Sequence, residues 1–280
     1  MRWVSFRRDG EETFGYLDSD NQVVCVGAES PYATLKDALT AGALNELASQ
    51  TVEKANVALD DIEYLPTVTN PDKILCVGLN YRDHQAETGR GGEDNPTIFV
   101  RFAAAQVGHL ENMVRPFESR ALDYEGEIAM IIGRHARRVE AGDWLDYVAG
   151  FSCYNDGSVR DYQRHTSQFT PGKNFTGTGG FGPWMMTPDE VGDLDEMEIT
   201  TRLNGNVMQN AKSKQLVFGF ADLLAYCSTF TDLVPGDVIV TGTPGGVGSA
   251  RNPPVFMDEG DVIEITVDPI GALRNAVVVG

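Results

Sequence analysis

The stretch Asp123-Tyr124-Glu125-Gly126-Glu127-Ile128-Ala129-Met130-Ile131-Ile132-Gly133 places an acid at every second position and then runs straight into an apolar segment. A period of two belongs to a β-strand, whose residues i, i+2 and i+4 project from one face. The pattern predicts a strand over Glu125 to Ile132, with Asp123, Glu125 and Glu127 pointing together. Stacked carboxylates repel one another. Two arrangements resolve the repulsion: an exposed edge strand with a solvated acidic face, or a hard divalent cation, Mg2+ or Mn2+, held by the oxygens.

Further along, Tyr154-Asn155-Asp156-Gly157-Ser158-Val159-Arg160-Asp161-Tyr162-Gln163 puts Asp156 at an expected turn into a helix, where it can supply a third carboxylate. The spacing from Ser158 to about His165 reads as helical, with Ser158 or Asp156 as its cap and Arg160 and Gln163 three apart on one face. That pair is either an ordinary polar face or part of a site. Pro171-Gly172-Lys173-Asn174-Phe175 isolates a lysine among Gly, Thr and Pro, a placement that packing does not explain. Upstream, in Gly78-Leu79-Asn80-Tyr81-Arg82-Asp83-His84-Gln85-Ala86-Glu87, His84 and Glu87 stand at i, i+3 and can hydrogen-bond on one helical turn. A general base and its orienting carboxylate need this geometry, although surface His-Glu pairs are common.

Charge narrows the possible partners. The chain has 41 acidic and 22 basic residues, a formal net charge of -19, which disfavours nucleic acid and anionic membranes. The same excess repels a dianionic small molecule, so local cations must recruit it, and Lys173, Arg160 and a metal are the natural agents. No apolar run reaches the length of a bilayer span, and the start Met1-Arg2-Trp3-Val4-Ser5-Phe6-Arg7-Arg8 lacks the apolar core of a secretory signal, so a cytoplasmic location is the expectation. Cys25, Cys76, Cys153 and Cys227 form no CxxC and read as reduced core residues. His109, His135 and His165 have no partner at metal-ligand spacing and are expected to be structural or exposed. Gly242 to Gly248 resembles a phosphate-cradling loop but lacks the GK[ST] ending, so nucleotide binding is rejected.

Residues 2 to 8, 13 to 18 and 21 to 26 alternate as a small antiparallel meander. A helix pair follows, with Thr34 as N-cap of Leu35 to Leu39 and Gly42 at its end. The proline-punctuated connector Leu65 to Pro71 marks a boundary between a small N-terminal α/β domain, 1–66, and a larger domain, 70–280. Expected strands are Ile74 to Val77, Ile98 to Phe102, Glu125 to Ile132, Glu198 to Leu203, Asp237 to Thr241, Val262 to Val267 and Ala276 to Val279. Helical pattern is limited to the segment around His84, Ser158 to about His165, and Gln215 to Ser228, where Leu216, Phe220, Leu223, Leu224 and Cys227 read as core contacts. The fold class is therefore α+β, mainly β with short helices, and not a doubly wound sheet. Gly89 to Asn95, with its glycines, suits a mobile lid.

Five blocks, in order, resemble the fumarylacetoacetate hydrolase family: Asn80 to Glu87, the Glu125/Glu127 strand, Asn155 to Gln163, Gly172 to Phe175, and Val240 to Gly248. The resemblance runs from about Asn70 to the C-terminus and implies a mixed β-sandwich roll with a smaller N-terminal domain. It further implies that Glu125, Glu127 and Asp156 ligate Mg2+ or Mn2+. Asp123 is not a usual ligand and would orient its neighbours. Lys173 would act as a point charge near the substrate, Arg160, Gln163 and Thr243 would hold substrate oxygens, and His84 with Glu87 would form the base dyad on a short lid helix. Arg101 stands where the family often has Lys. The implied activity is Mg2+-dependent hydrolysis of a C-C bond in a β-diketo acid of the acylpyruvate type, such as fumarylpyruvate or a 2,4-dioxo acid, by a homodimer. The alternatives are an oxaloacetate decarboxylase, a 2-oxo-enoate hydratase or isomerase, and a metal- and ligand-binding protein without turnover.

Overall fold

The computed structural model describes residues 1–49, 56–89, 91–92 and 94–280. Arg90 and Glu93 of the loop expected to act as a lid lie outside the described residues. The apolar run behind the acids forms the strand Gly126–Ile132, buried along its whole length. Its even and odd positions both face apolar neighbours. Ile128, Met130 and Ile132 pack toward Ile199, Ile263 and Ile265 of a second sheet, while Ala129 and Ile131 pack with Trp3, Phe14, Leu35 and Leu39. Burial on both faces explains why the segment reads as a continuous apolar run once the acids are passed.

Gly126–Ile132 lies between Val148–Asp156 and Val238–Val240, antiparallel to both. Val238–Val240 continues in parallel to Ile74–Gly78, and Thr97–Arg101 forms that edge. On the other side Gly179–Met186 joins Val148–Asp156, and then Arg2–Arg8, Glu11–Leu17 and Val23–Cys25 extend the sheet. Among the described residues this sheet has twelve strands. The second sheet runs Asn206–Lys212, Glu198–Leu203, Val262–Asp268, Gly271–Val279 and Met113–Arg115. The class is α+β and mainly β, a sandwich with short helices.

The N-terminal meander pairs as expected, and Thr34 caps Leu35–Thr40 through a reciprocal bond with Asp37. The meander has a small cluster of its own, including Val4, Phe6 and Val23, and also shares the Trp3 and Phe14 cluster with the larger sheet. The helix expected over Gln215 to Ser228 is observed at Phe220–Phe230, where Phe220, Leu223, Leu224 and Cys227 are buried as the spacing predicts, while Leu216 is buried outside it, bridged to Tyr81. All four cysteines are free. None of the described helices is long and apolar enough to cross a membrane.

Three local expectations are corrected. Asp123, Glu125 and Glu127 do not share one strand: Leu122–Asp123 pairs separately with Ser158–Val159, the strand expected from Glu125 begins at Gly126, and Glu125 lies in the step between the two. The helix expected from Ser158 shrinks to Arg160–Gln163, since that pairing claims Ser158 and Val159. Neither Ser158 nor Asp156 caps it: Asp156 ends the strand Val148–Asp156, and Ser158 Oγ donates to the Asp156 carbonyl at 2.9 Å.

Candidate active site

Glu125 and Asp156 are brought together by the pairing of Gly126–Ile132 with Val148–Asp156. The Asp156 amide donates to the Glu125 carbonyl at 2.8 Å, and the Glu125 amide donates to Asn155 Oδ1 at 3.0 Å. Glu127, two residues along and inside the strand, brings its carboxylate to the same cluster. One ligand oxygen from each of Glu125, Glu127 and Asp156 lies within 4.8 Å of the others, and all three side chains are buried. An all-oxygen, all-carboxylate set suits a hard divalent cation.

Three buried cations brace this cluster. Lys173 Nζ lies 2.6 Å from Glu125 Oε2 and 2.6 Å from Asp156 Oδ2. Arg160 reaches Glu125 Oε1 at 2.6 Å and Asp123 Oδ2 at 2.7 Å. Arg101 reaches Asp156 Oδ1 at 2.6 Å and also donates to the Gly157 carbonyl and Thr178 Oγ1. Among the described residues, Glu127 alone of the three acids has no cationic partner; its Oε2 accepts from the Gly242 amide. The electrostatics follow. Burial pushes Glu125 up, but Lys173 and Arg160 outweigh it and hold this carboxyl down at about 2. Burial, then the Asp156 and Glu125 charges, drives Glu127 well above the usual carboxylate range. Burial works against the Lys173 charge, yet Asp156 and Glu125 keep its pKa above the ordinary lysine value. With Asp123 included, three carboxylates are matched by the three cations, and Glu127 is the acid left without one. A divalent cation beside Glu127 would offset the Asp156 and Glu125 charges that hold it protonated, and three converging carboxylate oxygens are the donors such an ion takes, so the residues present fit the metal that the family resemblance implies.

His84 and Glu87 lie on the helix Arg82–Thr88, with His84 Nδ1 3.2 Å from Glu87 Oε2. A carboxylate accepts, so Nδ1 is the donor of this pair, and in the neutral ring that leaves Nε2 as the acceptor. The glycine loop 242–248 anchors this dyad and the cluster together. Gly242 donates to Glu127, Gly246 to both oxygens of Glu87 at 3.1 Å, and Gly248 to Asp123 at 2.8 Å. The loop that resembles a phosphate cradle in sequence thus presents its amides to the protein's own carboxylates.

Lys173 faces the cluster, and its ammonium also sits 5.0 Å from the centre of the Phe99 ring. Arg160 is buried with Nη2 unpartnered, and Gln163 Oε1 accepts from its Nη1 at 2.9 Å. Thr243 is nearby, but its hydroxyl donates to the Gly126 carbonyl and accepts from Gln209 Nε2. Sequence reasoning passed over Gln209, which also accepts from the Gly126 amide and holds Pro244. It also left Tyr124 and Arg251 without a role. No local spacing marks these residues: apart from the Arg251 contact with Gly246, their partners lie 34 to 127 positions away along the chain. His109 accepts from the Arg274 amide and packs edge-on against Tyr64, as a structural histidine.

The fold and the site define an enzyme centred on buried carboxylates with the donor set of a divalent-cation site. The chain belongs to the fumarylacetoacetate hydrolase family: the family model described as "Fumarylacetoacetate (FAA) hydrolase C-terminal" matches residues 73–278. Members similar to this chain include hydrolases, isomerases and tautomerases. The mitochondrial oxaloacetate tautomerase Fahd2a of Rattus norvegicus is 40% identical over 218 residues, 78% of this chain and 70% of that protein. A fumarylacetoacetate hydrolase structure from Exiguobacterium antarcticum matches with a TM-score of 0.89 and 31% identity, covering 100% of both chains. The maleylpyruvate hydrolase of Sphingobium sp. SYK-6, solved with manganese (II) ion and pyruvate, matches with a TM-score of 0.83 and 28% identity, again over 100% of both chains.

Proposed function

We propose that this protein interconverts the keto and enol forms of a 2-oxo dicarboxylic acid of the oxaloacetate type. The observation that carries the reading is the pairing, in one site, of a buried acidic cluster fit for a divalent cation with a proton-moving histidine dyad. Tautomerisation needs just these two functions, a means of stabilising negative charge on oxygen and a group that moves one proton. The likeness to oxaloacetate tautomerases supports oxaloacetate as the substrate.

A divalent cation held by Glu125, Glu127 and Asp156 would supply Lewis-acid polarisation of the 2-oxo group. The protein's own residues do the rest. His84 Nε2 takes a proton from the carbon next to the 2-oxo group, and the electron pair moves onto the oxo oxygen. The Lys173 ammonium stabilises that oxygen as charge develops, and the imidazolium returns the proton to it, giving the enol. Arg160, with its unpartnered Nη2, serves the substrate carboxylate. Gln163 sets the Arg160 guanidinium, and Thr243 shapes the wall beside Gly126.

A second reading, hydrolysis of an acylpyruvate to pyruvate and a carboxylic acid, is favoured by the same dyad, since a histidine that moves a carbon-bound proton can also activate water. Maleylpyruvate hydrolase, a structural neighbour, supports it. The test is to incubate the purified chain with Mg2+ or Mn2+ and follow enol-oxaloacetate by its ultraviolet absorbance, while mass spectrometry monitors fumarylpyruvate, acetylpyruvate and pyruvate. Faster enol decay without pyruvate release is expected. Enol decay at the buffer rate together with acylpyruvate cleavage would transfer the assignment to the second reading, and pyruvate formed from oxaloacetate faster than with the metal ion alone would identify a decarboxylase.

A further inference from the structure

The dyad and the carboxylate cluster lie on elements that are not hydrogen-bonded neighbours in the sheet, so something must hold them in register. Among the described residues, the backbone group that anchors the Glu87 carboxylate is the Gly246 amide. Gly246 has φ +102°, a conformation that L side chains rarely adopt, and a Cβ there would sit 2.2 Å from the Met208 carbonyl oxygen. Glycine is needed, but a glycine does not hold its own orientation. Its carbonyl is held instead. Tyr124 Oη donates to Gly246 O at 3.1 Å, and Arg251 Nε donates to the same oxygen at 3.2 Å and to Tyr124 Oη at 3.1 Å. Arg251 Nη2 ties the group to the Met208 carbonyl at 2.7 Å. Tyr124 directly precedes Glu125, so the chain that carries the acidic cluster also carries the phenol that fixes the dyad's anchor.

We infer that Tyr124 and Arg251 are positioning residues for His84, acting through Gly246 and Glu87; the inference rests on the proposed role of that dyad. Neither side chain needs to touch substrate. Their bonds hold the Gly246 carbonyl and so narrow the dihedral range of a residue that has no side chain to restrict it, which keeps its N–H on Glu87, and Glu87 selects the His84 tautomer with Nε2 free.

The test compares Tyr124→Phe, Arg251→Met and Arg251→Lys with the wild type in three measurements: ring-nitrogen NMR of 15N-histidine protein, enol-oxaloacetate turnover, and calorimetric Mn2+ binding. His84 should show one tautomer in the wild type and a mixture in Tyr124→Phe and Arg251→Met, with kcat lower by about tenfold, the scale of one lost hydrogen bond. KM and Mn2+ affinity should hold, and Arg251→Lys should recover part of kcat by restoring a donor. Tyr124→Phe keeps the buried ring and guards against a trivial folding defect. An unchanged His84 spectrum in both disruptive variants overturns the inference, as does lower thermal stability with unaltered kcat. His84→Ala serves as the separate control: if it turns over oxaloacetate like the wild type, the functional reading fails, whereas the spectra still decide the positioning role.

Discussion

At the scale of single residues, the site is governed by which acid has a cation and which does not. Glu125 and Asp156 are each braced by two, while Glu127 has none among the described residues. Replacing an ionised oxygen with an amide of the same size, as in Glu125→Gln, Glu127→Gln or Asp156→Asn, should weaken Mn2+ binding by at least about tenfold in calorimetry. Unchanged affinity in all three would remove the metal centre. His84→Ala should instead keep Mn2+ affinity while lowering turnover by roughly a hundredfold or more, the scale of losing a general base. His109 allows a pH prediction away from the site. Burial, aided by Arg274, pushes it down to about 4, below the ~6.5 of an unfolded histidine. The folded state therefore resists protonation that the unfolded state accepts. The stabilisation is full above about pH 6.5 and is lost as pH falls toward 4, a loss on the order of 1–2 kcal/mol after allowance for partial exposure. Urea unfolding at pH 8 and pH 5 should show a smaller pH effect in His109→Gln than in the wild type; equal pH effects would contradict the assignment.

At the scale of elements, the core joins strands through large side chains buried at the sheet interface. Phe151 of Val148–Asp156 is fully buried and packs edge-on against Trp144 and Phe220. Phe151→Ala should cost about 3–5 kcal/mol in urea unfolding, and a cost below about 1 kcal/mol would mean that the three rings do not form one packed unit. The same strand shows what the sequence hides. Glu198–Leu203 alternates inside and outside, and its bounds are read directly from the residues. Val148–Asp156 is buried on both faces, contains Gly150 and has no alternation, so it escapes a period-two search. Asn206–Lys212 is missed for the opposite reason, as a largely polar strand at the sheet's edge. The candidate site is more legible than the strands that carry it, because Glu125, Glu127, His84 and Glu87 reveal themselves by short-range spacing. Arg101 stands 55 residues from Asp156, and Tyr124 stands 122 from Gly246, so no window along the chain pairs them.

At the scale of the whole molecule, the net charge of -19 sets a repulsive background that the site must overcome locally. Arg101, Arg160 and Lys173 are buried and screened little by salt, so their hold on the cluster persists at high ionic strength. Surface charges behave differently. Exposed pairs such as Lys212 and Lys214 with Glu196 contribute little to stability, and salt weakens them. Against them stands an excess of acids distributed over the whole chain, whose mutual repulsion opposes the folded state and is relieved by the same screening. With 41 acids and 22 bases the unpaired repulsions outnumber the favourable pairs. Raising NaCl from about 0.01 M to 0.5 M shortens the screening length from about 30 Å to a few ångströms and should raise Tm. Calorimetric or fluorescence melts across that range check it at fixed pH and without divalent ions, so that metal binding does not contribute. A Tm that falls with salt would show that the surface pairs outweigh the global field.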